Sequence, residues 1–380
     1  MSGFRQHAML AQVTHDERAR QSFVKTFRSH LSGKVMPGNY QAFSKRVVPG
    51  YQSQHGHAPR DDRELRAAMT QDPYYQFWSA MQRRSQEMLW ESVIEPTERQ
   101  LPQLVKRAQT LAARKLPNGK RGSLQLDASV ALPRYHAAAD IHLQPGGYHT
   151  DFVPDDVAAG VVYDKGINLY MGGALGPENN AMGELLVTYF REKFGHRKPQ
   201  RILDMGCAIG NSTLVWARAL PSAEVHAIDV GAPVLRYAHA RAQSMGVPVH
   251  FKQANAERTD YADGSFDLVI SHIMLHETSK SAIVNVMRES RRLLSAGGLM
   301  LHLEIPRGDT LIEQFMHNWE SYNNNETFAR YMTGLDLKAV AVQGGFESDK
   351  TYVDHYSPGY DVEQTNYSES FVWKILIGEK

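Results

Sequence analysis

The chain has 380 residues, with 42 Lys plus Arg against 41 Asp plus Glu, 42% apolar residues and a single cysteine, Cys207. That balance supplies no global field to recruit nucleic acid or an anionic membrane, and one cysteine excludes an intrachain disulfide or a multi-cysteine metal site. No apolar run approaches the roughly 18 residues of a membrane span, and Met1–Leu10 lacks the apolar core of a signal peptide, so a cytoplasmic protein without nucleic-acid or membrane partners is expected.

Residues 1–123 read as a helical N-terminal domain. Asp61–Met69 opens with an acidic first turn, as a helix N-terminus prefers. Gln76–Val93 places Phe77, Met81, Met88, Leu89 and Trp90 near helical spacing, and Glu98–Ala113 continues with Leu101, Leu104, Val105 and Leu111. These stripes suit a helical core, and equally a homodimer contact. Leu116–Ser123 is basic and turn-forming, a candidate linker. Residues 124–198 are dense in Tyr, His, Gly and Pro and read as a cap or lid ending in a helix over Gly183–Phe194. Tyr135, His142, Tyr148, His149 and Tyr163 are its candidate acceptor-facing groups.

From residue 199 to 380 short apolar strands alternate with helices. Strands are expected at Arg201–Asp204, Val225–Asp229, Val249–Lys252, Phe266–Ser271 and Leu299–Ile305, with helices at Ser212–Leu220, Pro233–Ser244 and Ser281–Leu294 between them. A helix over Leu335–Gln343 and strands at Lys350–His355 and Phe371–Gly378 follow, the last two as an antiparallel pair at one side of the sheet.

The sharpest motif is Asp204-Met-Gly206-Cys207-Ala208-Ile-Gly210. A strand ends in an acid, a glycine turn lets the backbone approach a ligand closely, and a helix N-terminus follows with free N–H groups. Asp229 closes the next strand about 20 positions later, where nucleoside sites place an acid on ribose hydroxyls.

These residues resemble the class I S-adenosylmethionine-dependent methyltransferases, whose first motif is an acid followed by a three-glycine loop, here with Ala208 at the middle glycine. The likeness continues through His226–Asp229, Asn255–Ser271 and Arg288–Gly298, in the manner of the ubiquinone and menaquinone methyltransferases. It implies an α/β, Rossmann-like, doubly wound, mostly parallel seven-stranded sheet, preceded by the mainly helical N-terminal region. It also implies S-adenosylmethionine as cofactor. Asp204, Gly206, Cys207, Ala208 and Gly210 would hold its methionine part, Asp229 and Val230 the ribose, and Asn255 and Ala256 the adenine. Ser271 would lie near the transferred methyl. A nicotinamide-dependent oxidoreductase of the same fold, or a non-catalytic nucleoside-binding interaction protein, is the alternative.

Ligands of such sheets bind beyond the carboxyl ends of the strands, which puts His272, His276 and Glu304 forward as candidate bases. Phe315, Trp319 and Tyr322 suit the pocket of an apolar or aromatic small-molecule acceptor, with docking of an amphipathic helix on the sheet as the plainer reading. No carboxylate cluster suggests a metal, and His55-Gly-His57 reads as solvated.

Overall fold

The apolar runs of the C-terminal half are nearly continuous because they form strands covered on both faces. In the computed structural model, which describes residues 4–116, 122–306, 308–357 and 372–380, eight strands build one sheet: β1 (Ser123–Gln125), β2 (Arg201–Met205), β3 (Glu224–Asp229), β4 (His250–Gln253), β5 (Phe266–His272), β6 (Leu294–Glu304), β7 (Thr351–Tyr356) and β8 (Trp373–Glu379). Their order is β1-β4-β3-β2-β5-β6-β8-β7. The first six are parallel, and β8 runs antiparallel between β6 and β7, giving the expected antiparallel pair at one side. The chain builds outward from β2 to β3 and β4, then crosses to β5 and β6 on the other side. The β2–β5 boundary is therefore the topological switch point where a crevice opens.

Alternation along each strand divides the core. Ile202, Val225, Phe251, Leu268 and Leu301 pack on one face of the sheet, and Leu203, Ile228, Phe266, Val269 and Met300 on the other. Helices Thr213–Ala219, Ala232–Ser244 and Lys280–Leu293 supply the crossovers.

The sheet has one strand more than the seven expected. β1 is three residues long, too short for an alternation signal, and it lies beside β4 with Ser123 opposite His250. Residues 117–121 of the candidate linker and Phe371 of the last expected strand fall outside the described residues.

The N-terminal region is helical, with helices at His15–His30, Asp62–Met69 and Pro73–Ala112 among others. The two helices expected at 76–93 and 98–113 are a single 40-residue helix that runs through Pro96 and Pro102. Each proline removes one backbone donor, and packing along the helix outweighs that loss. Leu89, Trp90 and Val93 pack with Val162 and Leu169 of helix Ala158–Tyr170, and Leu101, Leu104 and Ala108 with Val161, Tyr237 and Ala240. A buried network ties the layers together. Asp164 accepts from Arg241 Nε at 3.1 Å and the Tyr237 hydroxyl at 2.8 Å, with His7 Nε2 at 3.0 Å. Burial alone would raise the Asp164 pKa, but Arg241 and His7 outweigh it and hold the group at about 2.

Candidate functional site

Three consecutive features of the β2 turn create a concavity. Gly206 has φ +72° and Gly210 φ +71°, and between them Ala208 takes φ +45° although it carries a side chain. A Cβ at Gly206 would stand 2.4 Å from Met274 Cγ, so only glycine fits there. The turn is pinned to β3: Gly206 and Cys207 both donate to Ile228 O, at 2.8 and 3.0 Å. Ala208 N donates to Asp229 Oδ2 at 2.9 Å, and Gly231 N to Asp229 Oδ1 at 2.9 Å. Both Asp229 oxygens thus hold backbone and still offer lone pairs to a ligand.

The first cavity opens at the switch point. Of the expected cofactor residues, Gly206, Ala208, Asp229, Val230, Asn255 and Ala256 line it, and so do Tyr135, Tyr148 and Tyr163 from the cap segment. Four others do not line it. Asp204 is buried and accepts from the Thr213 hydroxyl at 2.6 Å, which seats the next helix. Cys207 is buried in the sheet core, and Gly210 packs under Phe251. Ser271 is fully buried with its hydroxyl 2.6 Å from His302 Nδ1, because the alternation of β5 turns it into the core between strands.

His272 lines the cavity, yet both its nitrogens are committed. Trp216 Nε1 donates to Nε2 at 3.2 Å, and Nδ1 faces Asp204 Oδ1 at 3.3 Å. Both contacts hold the ring in the cavity wall. His276 differs. Nδ1 lies 3.0 Å from Glu304 Oε2, while Glu304 Oε1 accepts from Leu275 N at 2.6 Å. Burial opposes charge on His276, but Glu304 and Glu277 outweigh it and raise its pKa well above the usual histidine range.

A second cavity adjoins the first and shares His142, Tyr163 and Ile273 with it. Its walls include Trp90, Tyr170 and Trp373, and its polar groups are His276, His317, Glu320, Asn324 and Glu326. Of the aromatic residues expected to face an acceptor, Tyr163 lines this cavity and three others lie elsewhere. Phe315 and Trp319 are buried against Tyr75 and Trp78 of the long N-terminal helix, and Tyr322 is 73% exposed beside Arg66. Helix Leu311–Asn323 docks on the N-terminal helices, not on the sheet, and presents His317 and Glu320 to the cavity.

Sequence reasoning missed Trp90, Tyr170, His317, Glu320 and Glu326. The three-residue spacing of His317 and Glu320 on one helix face was the available signal for two of them. It also found no carboxylate cluster. Among the described residues, His142, Glu277 and Glu326 converge, with all three donor atoms within 4.8 Å of one another.

Residues 202–298 match the model of a family described as a methyltransferase domain. The chain is 32% identical over 110 residues to a demethylmenaquinone methyltransferase of Thermus thermophilus, covering 29% of this chain and 49% of that protein. It is 26% identical over 140 residues to a malonyl-[acyl-carrier protein] O-methyltransferase of Pseudescherichia vulneris, covering 37% and 52%. It is also 32% identical over 181 residues to a ubiquinone/menaquinone biosynthesis C-methyltransferase of Pasteurella multocida, covering 42% and 66%. The chain spans about half the length of the first two. Among solved structures, phosphoethanolamine N-methyltransferase 2 of Haemonchus contortus with S-adenosyl-L-methionine aligns with a TM-score of 0.42 at 18% identity, covering 51% and 52%.

Proposed function

We propose that this chain, whose residues 202–298 match a methyltransferase domain, methylates a small aromatic or apolar acceptor held in the second cavity with S-adenosylmethionine as donor. The carrying observation is that the two cavities meet at His142, Tyr163 and Ile273. A donor in the first thus faces an acceptor in the second. The Gly206 turn leaves no room for a Cβ, and Asp229 keeps lone pairs beside it, which suit the hydroxyl donors of a ribose diol. The nicotinamide alternative is set aside with the family match.

The cofactor supplies a methyl group already activated on a sulfonium. Asp229 would accept from the ribose hydroxyls. The Asn255 amide, whose Oδ1 takes the Glu257 N–H at 2.9 Å, would meet the adenine edge together with Ala256. Trp90, Tyr170 and Trp373 offer an aromatic acceptor its apolar walls and exclude water. Glu304 holds His276 Nδ1 and, with Glu277, keeps the imidazole charged, so Nε2 would donate to an acceptor oxygen and stabilise its ionised form. The protein's work is alignment and electrostatic stabilisation of the acceptor oxygen.

The test is a panel of aromatic hydroxy compounds, aliphatic amines and thiols incubated with the cofactor, with methylated product read by mass spectrometry. Turnover of aromatic hydroxy compounds is expected. Cofactor binding accompanied by methylation of aliphatic amines or thiols alone would overturn this assignment of the acceptor.

A further inference from the structure

We propose that His142, Glu277 and Glu326 form a binding site for one divalent transition-metal cation, on the wall common to the two cavities. His142 and Glu277 line the first cavity, and His142 and Glu326 the second. His142 Nε2 lies 3.0 Å from Glu326 Oε1 and 3.4 Å from Glu277 Oε1. Ligand atoms held at 2.0–2.2 Å from a shared ion sit about 3–3.5 Å apart, so two edges of the triangle already have the needed length. Rotation of one carboxylate closes the third.

A second observation points to a missing ligand. Glu277 Oε1 is inaccessible to solvent and has no hydrogen-bond partner. It stands 3.4 Å from His142 Nε2 and 3.5 Å from His276 Nε2 without the geometry of a bond to either. A buried carboxylate oxygen left unsatisfied loses the hydrogen bonds water would give it. A cation in the centre would satisfy it and both its neighbours at once. Glu326 is more than nine-tenths buried, so its charge also needs compensation.

The supporting shell is built as metal sites require. The other ring nitrogen of His142 is held by the Tyr148 hydroxyl. The His142 carbonyl accepts from Gln86 Nε2 and Trp90 Nε1, both at 2.8 Å, and its N–H donates to Asn324 O at 2.6 Å. One imidazole and two carboxylates select the borderline ions, Mn²⁺, Fe²⁺, Co²⁺ or Zn²⁺, over Ca²⁺ and Mg²⁺, which prefer oxygen alone. The site stands on this geometry and does not depend on methyl transfer.

Untagged full-length protein, stripped with chelator and desalted, is titrated with Co²⁺ and followed by visible absorption, then challenged with Zn²⁺. One equivalent should bind, Zn²⁺ should displace it, and Zn²⁺ should raise the thermal midpoint. Glu326→Gln and Glu277→Gln should each weaken Co²⁺ binding at least about tenfold, in proteins shown to be folded by unchanged circular dichroism and a cooperative thermal transition. The exposed His55 and half-buried His57 are the obvious surface competitors, and a His55→Ala/His57→Ala variant should bind as the wild type does. Should the carboxylate variants fail to fold, Mn²⁺ paramagnetic resonance of the wild type should still show nitrogen coupling from one imidazole. Absence of a one-equivalent Co²⁺ signal, binding unaffected in folded Glu326→Gln, or bound Mn²⁺ without nitrogen coupling would each overturn the proposal.

Discussion

The backbone N–H of Ala208 donates to Asp229 Oδ2 at 2.9 Å, so the residue at the middle of the β2 turn is fastened to the acid at the end of β3. Ala208 reaches that bond only with φ at +45°, a left-handed conformation that costs an L-residue with a Cβ about 1–2 kcal/mol. Ala208→Gly relieves this strain and loses part of the gain to the freer unfolded chain. A net stabilisation of about 0.5–1 kcal/mol is expected by chemical denaturation, with cofactor affinity retained. Ala208→Val should destabilise by more than that, since a β-branched residue is poorly tolerated there. Equal stability of the three proteins would mean that the turn carries no strain.

Asp229 has a second duty beyond the turn, because its Oδ1 also accepts from Gly231 N. Asp229→Ala therefore removes ligand contacts and two loop anchors together. Calorimetry with S-adenosylmethionine should show binding weakened by about 1–3 kcal/mol, with the protein still folded. Wild-type affinity in this variant would remove Asp229 from the nucleoside site.

The two histidines after β5 should separate cleanly. His276→Gln leaves the first cavity intact, because His276 does not line it. It should lower kcat by about 10²–10⁴-fold with cofactor affinity unchanged. His272→Gln breaks the contacts to Trp216 and Asp204 inside the cofactor wall. It should weaken both cofactor binding and thermal stability. A His272 variant with normal binding and a selective loss of kcat would support its expected role as base.

What was legible in the sequence followed local chemistry. The β2 turn, Asp229 and Asn255 are fixed by strand ends and glycines within single βα units, and six of the ten expected cofactor residues line the cavity. Ser271 lies off the cavity because the end of a strand is legible but the side that each residue faces is not. Phe315 and Trp319 lie away from it for another reason: an amphipathic helix shows that it is buried on one side, not against what. Here Tyr75 and Trp78, about 240 positions earlier, provide the cover. The long helix was read as two because prolines normally interrupt helices, and only tertiary packing kept it whole. The convergence of His142, Glu277 and Glu326 joins three distant segments and leaves no spacing to read.

Acid should destabilise the fold before carboxylates titrate. Burial lowers the pKa of His302 to about 3, with His272 adding to the shift, and burial lowers that of His239 to about 4. In the unfolded chain each titrates near 6.5. Between the two values the unfolded state binds more protons, so stability is full above about pH 6.5 and falls as pH drops toward 4. Each unit in that window costs up to about 1.4 kcal/mol per histidine. Denaturant midpoints measured from pH 6.5 to 4.5 should fall continuously, and a flat profile between pH 6.5 and 5 would contradict the burial of both groups as neutral imidazoles.

The N-terminal helices bear on the acceptor through Trp90. Its indole is 3% exposed, lines the second cavity and donates to the His142 carbonyl at 2.8 Å. Gly166 lies so close that a Cβ there would stand 2.3 Å from the ring, so the helix seats at a defined depth. Deleting residues 1–123 would uncover Trp319, Tyr237 and Val162 at once, and the remainder should aggregate. Point changes separate a cap from a dimerisation surface more gently. Trp90→Phe keeps an aromatic wall but loses the bond to His142 and part of the volume, so KM for the acceptor should rise severalfold with cofactor affinity unchanged. The stacked, outward-facing Phe23 and Phe27, with Phe23 58% exposed, are where a second copy would be expected to dock. Phe23→Ser should leave turnover intact if the helices serve as a cap. Normal acceptor kinetics in Trp90→Phe, together with a dimer that falls to monomer in Phe23→Ser and loses turnover, would assign the helices to assembly and not to the pocket.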